Sequence, residues 1–303
     1  MAGTAALYAQ QPKTSAAPII AQGEETYAET LLSRVATPSP LAVEVFKHAG
    51  MQGVTPHLLT DRERGKIAAA LAVLPELNRH VLASRLHALA FVDGIPGEGT
   101  GLTSPAAQPG MFDITLRASV IDEPLSQFLT IKENRVFSHS DSGIAVKVTG
   151  TGTNALGYVL LHESSHVVDK TCGITGAATS GFDIGMWTSY KDLVPALAAI
   201  TPKTHFRGGS PLALAQAAAI YDALSKTPFV SLYSTASREE DFAELVAWRE
   251  MSQAHQADLV ITVDNARNGE QRQWRPLSFP GVRARFAQLE KLYASPIGCR
   301  GRW

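Results

Sequence analysis

His162-Glu163-Ser164-Ser165-His166 places two imidazoles and a carboxylate within five residues. At 3.6 residues per turn, the two histidines stand one turn apart and Glu163 lies beside the first, all within an arc of roughly 100°. Neutral imidazole nitrogens at this spacing suit zinc, and a catalytic zinc site commonly combines three protein ligands with one open position for a water whose pKa falls to about 7. His162 and His166 are therefore candidate ligands of one Zn2+ per chain, and Glu163 is the candidate base that takes the proton of the water. In a chain with 9 histidines, shuffling produces this pattern only about 0.01 times, so accident is a poor explanation. The flanking Val159-Leu160-Leu161 and Val167-Val168 would bury these polar groups, which is costly unless a metal and its hydrogen-bonding surroundings satisfy them.

A second acidic cluster lies downstream in Ser237-Arg-Glu-Glu-Asp-Phe-Ala-Glu244. Glu240 and Glu244 are i and i+4, neighbours on one helical face, where one carboxylate can bind a metal while the other orients an imidazole. Two other readings compete: Glu240 closes a capping box with Ser237, or a one-residue change of register makes Glu239 the ligand. The His-Glu-x-x-His helix resembles that of the zincin metallopeptidases. Metzincins continue to a glycine and a third histidine where this chain has Asp169 and Cys172, so the gluzincin type, with a glutamate from a later helix, is the closer likeness. The Glu-Asp-Phe-Ala-Glu run is similar to that in the catalytic domain of anthrax lethal factor and related bacterial metallopeptidases. This resemblance implies that Glu240 is the third zinc ligand and that Glu244 supports a ligand histidine. It also implies that Tyr233, seven residues before Glu240, donates a hydrogen bond to a developing oxyanion; by its type and setting alone, Tyr233 reads equally as a core residue. The implied activity is zinc-dependent hydrolysis of a peptide or protein substrate. The alternative is a binding or effector-like protein stabilised by zinc without general peptidase activity; Glu163 favours catalysis, because a structural site has no need of a base.

Other residues carry less. Asp169 follows His166 by one turn on the same face and is a candidate to support a ligand, with a salt bridge or a surface position as its plainer reading. Cys172 has ligand spacing but reads as a disulfide partner or packed thiol. His205 sits alone in an irregular stretch, and His48, His57, His80, His87, His139 and His255 show no pairing.

The elements that must position these groups follow from periodicity. Residues 24–86 repeat apolar positions at three and four, with a capping box at Thr60-Asp-Arg-Glu63, and read as helices throughout. Between residues 89 and 150 the period becomes two in Met111-Phe-Asp-Ile-Thr-Leu-Arg117 and again in Gly143-Ile-Ala-Val-Lys-Val-Thr149, which predicts a small sheet. The second of these strands is the candidate to align an extended substrate by edge pairing. A short helix is expected over 124–135 and the motif helix from Asn154, with Leu156, Leu160, Leu161, Val167 and Val168 on the face opposite the histidines. An irregular connection follows over 173–210, then helices over 212–224, 239–256 and 282–294. The fold class is α+β, mainly helical. The zincin resemblance implies a small sheet over the active helix and a helical lobe below it. Residues 1–22 read as a flexible lead-in, and 23–303 as a single catalytic domain in two lobes, about 23–172 with the sheet and motif helix and about 173–303 supplying the third ligand.

The chain has 303 residues, with 27 Lys and Arg against 28 Asp and Glu. That balance gives no basic excess to neutralise phosphates, so a nucleic-acid partner is not expected. No apolar run reaches the roughly 20 residues of a membrane helix. The first residues are rich in small side chains, like the tail of a signal peptide, although a basic start is missing. Cys172 and Cys299, the only cysteines, form either one disulfide or two packed thiols. The reading leans to a secreted or periplasmic protein, with a cytoplasmic one still open.

Overall fold

In the computed structural model the described residues are 27–138, 142–177, 180–294 and 299; the lead-in over 1–22 and His139 lie outside them. The chain is α+β, with about 48% helix and 20% strand in several small sheets. Helix α1 (Pro40–His48) leads into strand β1 (Gln52–Pro56), followed by α2 (Asp61–Ala72) and α3 (Glu76–Arg85). The Thr60–Glu63 capping box is formed in both directions at the start of α2. Strand β2 (Leu86–Ile95) then pairs with β1 and β4 (Phe112–Arg117), and β3 (Gly101–Pro105) completes a sheet of order β1-β2-β4-β3. Strands β2 and β4 are parallel, whereas β1 and β3 are antiparallel to their neighbours.

The expectation of unbroken helices over 24–86 therefore fails at β1. Only Val54 of that strand is even half-buried, so it has none of the inward alternation that marks a strand in sequence. Helix α4 (Leu125–Asn134) agrees with its predicted span. Strand β6 (Ile144–Gly150) does form, but in a different sheet, paired antiparallel with β8 (Leu259–Asn265), which pairs with β9 (Glu270–Trp274). That hairpin was missed, although Leu259, Ile261 and Val263 alternate inward. A two-residue pairing of β5 (Phe137–Ser138) with β7 (Leu212–Ala213) forms the third sheet, so the helix expected from 212 begins only as α6 (Ala217–Leu224).

Strand β6 cannot align a substrate at its second edge, because α4 occupies it. The Ser126 hydroxyl bonds to the backbone of Gly150, the Thr130 hydroxyl to that of Val148, and Asn134 donates to the Val146 carbonyl. Four residues of helix rise about 6 Å and two of strand about 6.6 Å, so side chains four apart on α4 meet alternate strand residues in register.

The motif helix α5 (Ala155–Cys172) is capped by the Asn154 side chain and ends at Gly173 in the left-handed conformation, φ 65°. Every residue of α5 except Lys170 is buried. The expected division into a polar and an apolar face gives way to a helix enclosed on all sides by β3, α3 and α7 (Arg238–His255). Helix α8 (Pro280–Ala294) closes the chain against α7, and Cys299 forms a disulfide with Cys172 at the end of α5. No described helix is long and apolar enough to cross a membrane.

Candidate metal centre

Helix α7 is capped by Ser237, whose hydroxyl accepts the Glu240 backbone N–H at 3.2 Å. This is half of a capping box. The returning half is not made, because the Glu240 carboxylate turns to α5, where its Oε2 stands 3.0 Å from His162 Nε2 and 3.6 Å from His166 Nε2. The two Nε2 atoms are 3.2 Å apart. Glu239 points elsewhere and pairs with Lys170 at 2.9 Å, which removes it as the alternative ligand.

The three atoms fit one cation. Ligands about 2.0–2.2 Å from a tetrahedral ion stand about 3.3–3.6 Å from one another, and the edges here run from 3.0 to 3.6 Å. His162, His166 and Glu240 form the one group of three or more potential ligands brought together among the described residues.

The electrostatics agree with a site built for positive charge. Burial pushes the His162 imidazole down, yet hydrogen bonds and charge from Glu240 and Glu244 outweigh it and raise the ring to about 10. Burial likewise acts against the Glu240 carboxylate, but His166 and His162 hold it well below the usual range. The two acids thus stay ionised and stabilise a cation on the imidazoles, a proton or a metal.

Glu244 lies beneath the cluster, with Oε1 3.3 Å from His162 Nδ1. A proton on Nδ1 held toward this carboxylate leaves Nε2 with its lone pair facing Glu240. The cost of burying Glu244 is met by three hydrogen-bond donors, Lys132 at 3.1 Å, the Ser231 hydroxyl at 2.7 Å and the Tyr158 hydroxyl, with the His162 ring at ion-pair distance. Burial opposes its charge, and Lys132 and His162 more than compensate, placing the carboxyl far below its ordinary range.

Glu163 lines a cleft of about 130 Å³ together with His162, Tyr233, Phe206 and residues 98–101. Its Oε2 accepts the Thr103 hydroxyl at 2.7 Å. A Cβ at Gly101 would stand 2.3 Å from Glu163 Oε1, so only glycine allows β3 to pass so close. Tyr233 opens a single turn before α7, its ring centroid 5.9 Å from that of His162 and 4.9 Å from that of Phe206. Lys132 Nζ sits 3.7 Å above the Tyr233 ring, in cation–π range. Burial, then the charges of Glu240, Glu163 and Glu244, keep the phenol protonated well above its usual pKa.

No family model, curated protein or solved structure matches this chain. The site therefore rests on its own geometry.

Asp169 is 3% exposed, and its two oxygens take the Thr175 N–H and hydroxyl, both at 2.7 Å. It ties down the turn after α5, and the surface position that was its plainer reading does not occur. Cys172 is held in the disulfide. His205 lies with its ring tilted against that of its neighbour Phe206, centroids 4.1 Å apart, and does not line the cleft. His57 pairs with Asp93 and with nearby Glu63, and His87 with Asp113; the two aspartate contacts are ones that only long-range packing creates. Sequence reasoning missed Gly101, Thr103 and Lys132. A glycine at the start of a strand is the only local signal among them.

Proposed function

We propose that this chain is a zinc-dependent peptide hydrolase with a zincin-like fold of the gluzincin type. The observation that carries this reading is the meeting of the Glu240 carboxylate with both motif imidazoles, next to a further acid, Glu163, that lines the cleft from the motif helix. Further support comes from β3, an edge strand antiparallel to its single partner β4, which passes over α5 at Gly101. Its outer edge, and not that of β6, offers backbone groups to an extended peptide.

His162 and His166 through Nε2, and Glu240 through Oε2, would hold the ion. Zinc supplies there a Lewis acid that polarises a carbonyl and lowers the pKa of water to about 7. The Glu163 carboxylate removes the proton from the attacking water and delivers it to the nitrogen of the departing amine. Thr103 fixes Glu163 for that task by holding Oε2. Tyr233 keeps its phenolic proton and donates a hydrogen bond to the oxyanion formed at the scissile carbonyl. Lys132 holds the Tyr233 ring and neutralises Glu244.

A library of fluorogenic peptides tests the reading. The expected result is cleavage that stops with a chelator, returns with added zinc and is absent in Glu163→Gln. Chelator-sensitive melting with no cleavage of any peptide would instead assign the metal a structural role in a binding protein.

A further inference from the structure

Next to the metal cleft lies a larger hollow of about 510 Å³, and Phe128, Lys132 and Arg135 line both. A ligand held over His162 and Glu163 can thus extend into it without leaving the surface of α4. The hollow carries an imbalance of charge. Arg117, the last residue of β4, is 7% exposed; one of its terminal nitrogens donates to Glu123 at 2.8 Å, while its Nε has no hydrogen-bond partner. Arg135 donates to the Glu98 and Gly97 carbonyls at 2.8 and 2.7 Å. Among the described residues no carboxylate comes within 4.0 Å of the Arg135 guanidinium. The other acid of the hollow, Asp122, is already engaged by Arg62 at 2.6 Å and by Lys66. Lys132 is engaged by Glu244. Glu98 faces the metal cleft from an exposed position.

Two guanidinium groups therefore stand in a half-enclosed space where Glu123 pairs with Arg117, while Arg135 feels the charges of Glu98 and Glu123 but forms an ion pair with neither. The backbone carbonyls that hold Arg135 fix its orientation, and neither nearby acid closes on it as a paired carboxylate would. Planar guanidinium groups match carboxylates through paired N–H donors, and such charge-assisted bonds gain strength away from bulk water. We infer that this hollow is a substrate subsite for a carboxylate of the peptide, with Arg135 as its specificity-determining residue. The inference rests on the peptide-hydrolase reading above. It names a substrate class: peptides carrying an acidic side chain, or their own C-terminal carboxylate, at a distance from the scissile bond set by the path along α4.

The test uses the zinc-loaded full chain and matched peptide pairs that differ in one carboxylate. One series exchanges Asp for Asn at successive positions, and a second exchanges a free C-terminus for its amide. The readout is the ratio of kcat/KM for the acid over its neutral partner within each protein, so a general loss of activity or of folded protein cancels. The wild type should favour one acid by about tenfold or more. Arg135→Gln should bring that ratio close to one, and Arg135→Lys should give an intermediate value. The series that carries the preference identifies the side chain or the C-terminus as its source. A wild-type ratio near one in every pair, or a preference that survives Arg135→Gln, overturns the subsite. If the wild type cleaves no peptide at all, the hydrolase reading fails separately. Fluorescence anisotropy with the same labelled pairs then decides the subsite: an acid preference in binding that Arg135→Gln abolishes supports it, and equal binding of acid and neutral peptides overturns it.

Discussion

Glu163 is held by a neighbour that makes no side-chain contact with it, since Gly101 acts through the Cβ it lacks. Alanine at that position would place a carbon 2.3 Å from Glu163 Oε1, and either the carboxylate or β3 must shift. A displacement of about 1 Å at a reacting group costs on the order of a hundredfold in rate. Gly101→Ala is therefore expected to lower kcat by about that factor while metal content by elemental analysis stays at the wild-type level. Glu163→Gln should lose about 100- to 10,000-fold, again with the metal retained. At this scale His162, Glu163 and His166 were legible in the sequence because one helix turn relates them. Gly101, Thr103 and Lys132 were not, because their places depend on how β3 and α4 pack against α5, and local spacing carries no trace of that.

Helix α7 shows how capping and ligation divide one residue between backbone and side chain. Ser237 takes the Glu240 N–H, which sets the register that aims the Glu240 carboxylate at α5 and sends Glu239 to Lys170. Ser237→Ala should cost about 1 kcal/mol of stability in denaturant unfolding. One turn on, Glu244 orients His162. Glu244→Gln keeps the shape but weakens the acceptor and leaves Lys132 without its carboxylate, so zinc affinity measured by chelator competition should fall about 10- to 100-fold. The i, i+4 relation of Glu240 and Glu244 was readable from the chain, as were the helices bearing both motifs. Strand β1 was not, since an exposed edge strand lacks inward alternation. Strand β6 was identified but assigned the wrong task, because the hydroxyls of Ser126 and Thr130 that close its edge read simply as polar helix positions.

Across the whole molecule, two features link the site to global stability. The Cys172–Cys299 disulfide fastens the last turn of α5 to a point 127 residues further along the chain. Closing a loop of that size contributes about 5 kcal/mol in the chain-entropy model. Cys299→Ser should lower unfolding stability by an amount of that order and leave the far-UV spectrum unchanged. Glu133 of α4 is buried with its carboxyl accepting the Tyr221 hydroxyl at 2.8 Å; burial raises it to about 7 against the pull of Tyr221 and Lys132. Between its ordinary pKa, about 4.5, and 7, the unfolded chain has lost this proton and the folded chain retains it. Stability therefore falls as pH rises through that window, by up to about 3 kcal/mol. Glu133→Gln should flatten this part of the profile in urea unfolding at a series of pH values.

The claim at the centre of this account is that imidazoles from one helix and a carboxylate from another share one ion. Elemental analysis of gently purified protein tests it most directly. The wild type is expected to carry one zinc per chain and Glu240→Ala, still folded by circular dichroism, to have lost it. A wild type free of zinc even after incubation with the ion, or a Glu240→Ala protein that retains it in full, would contradict the account.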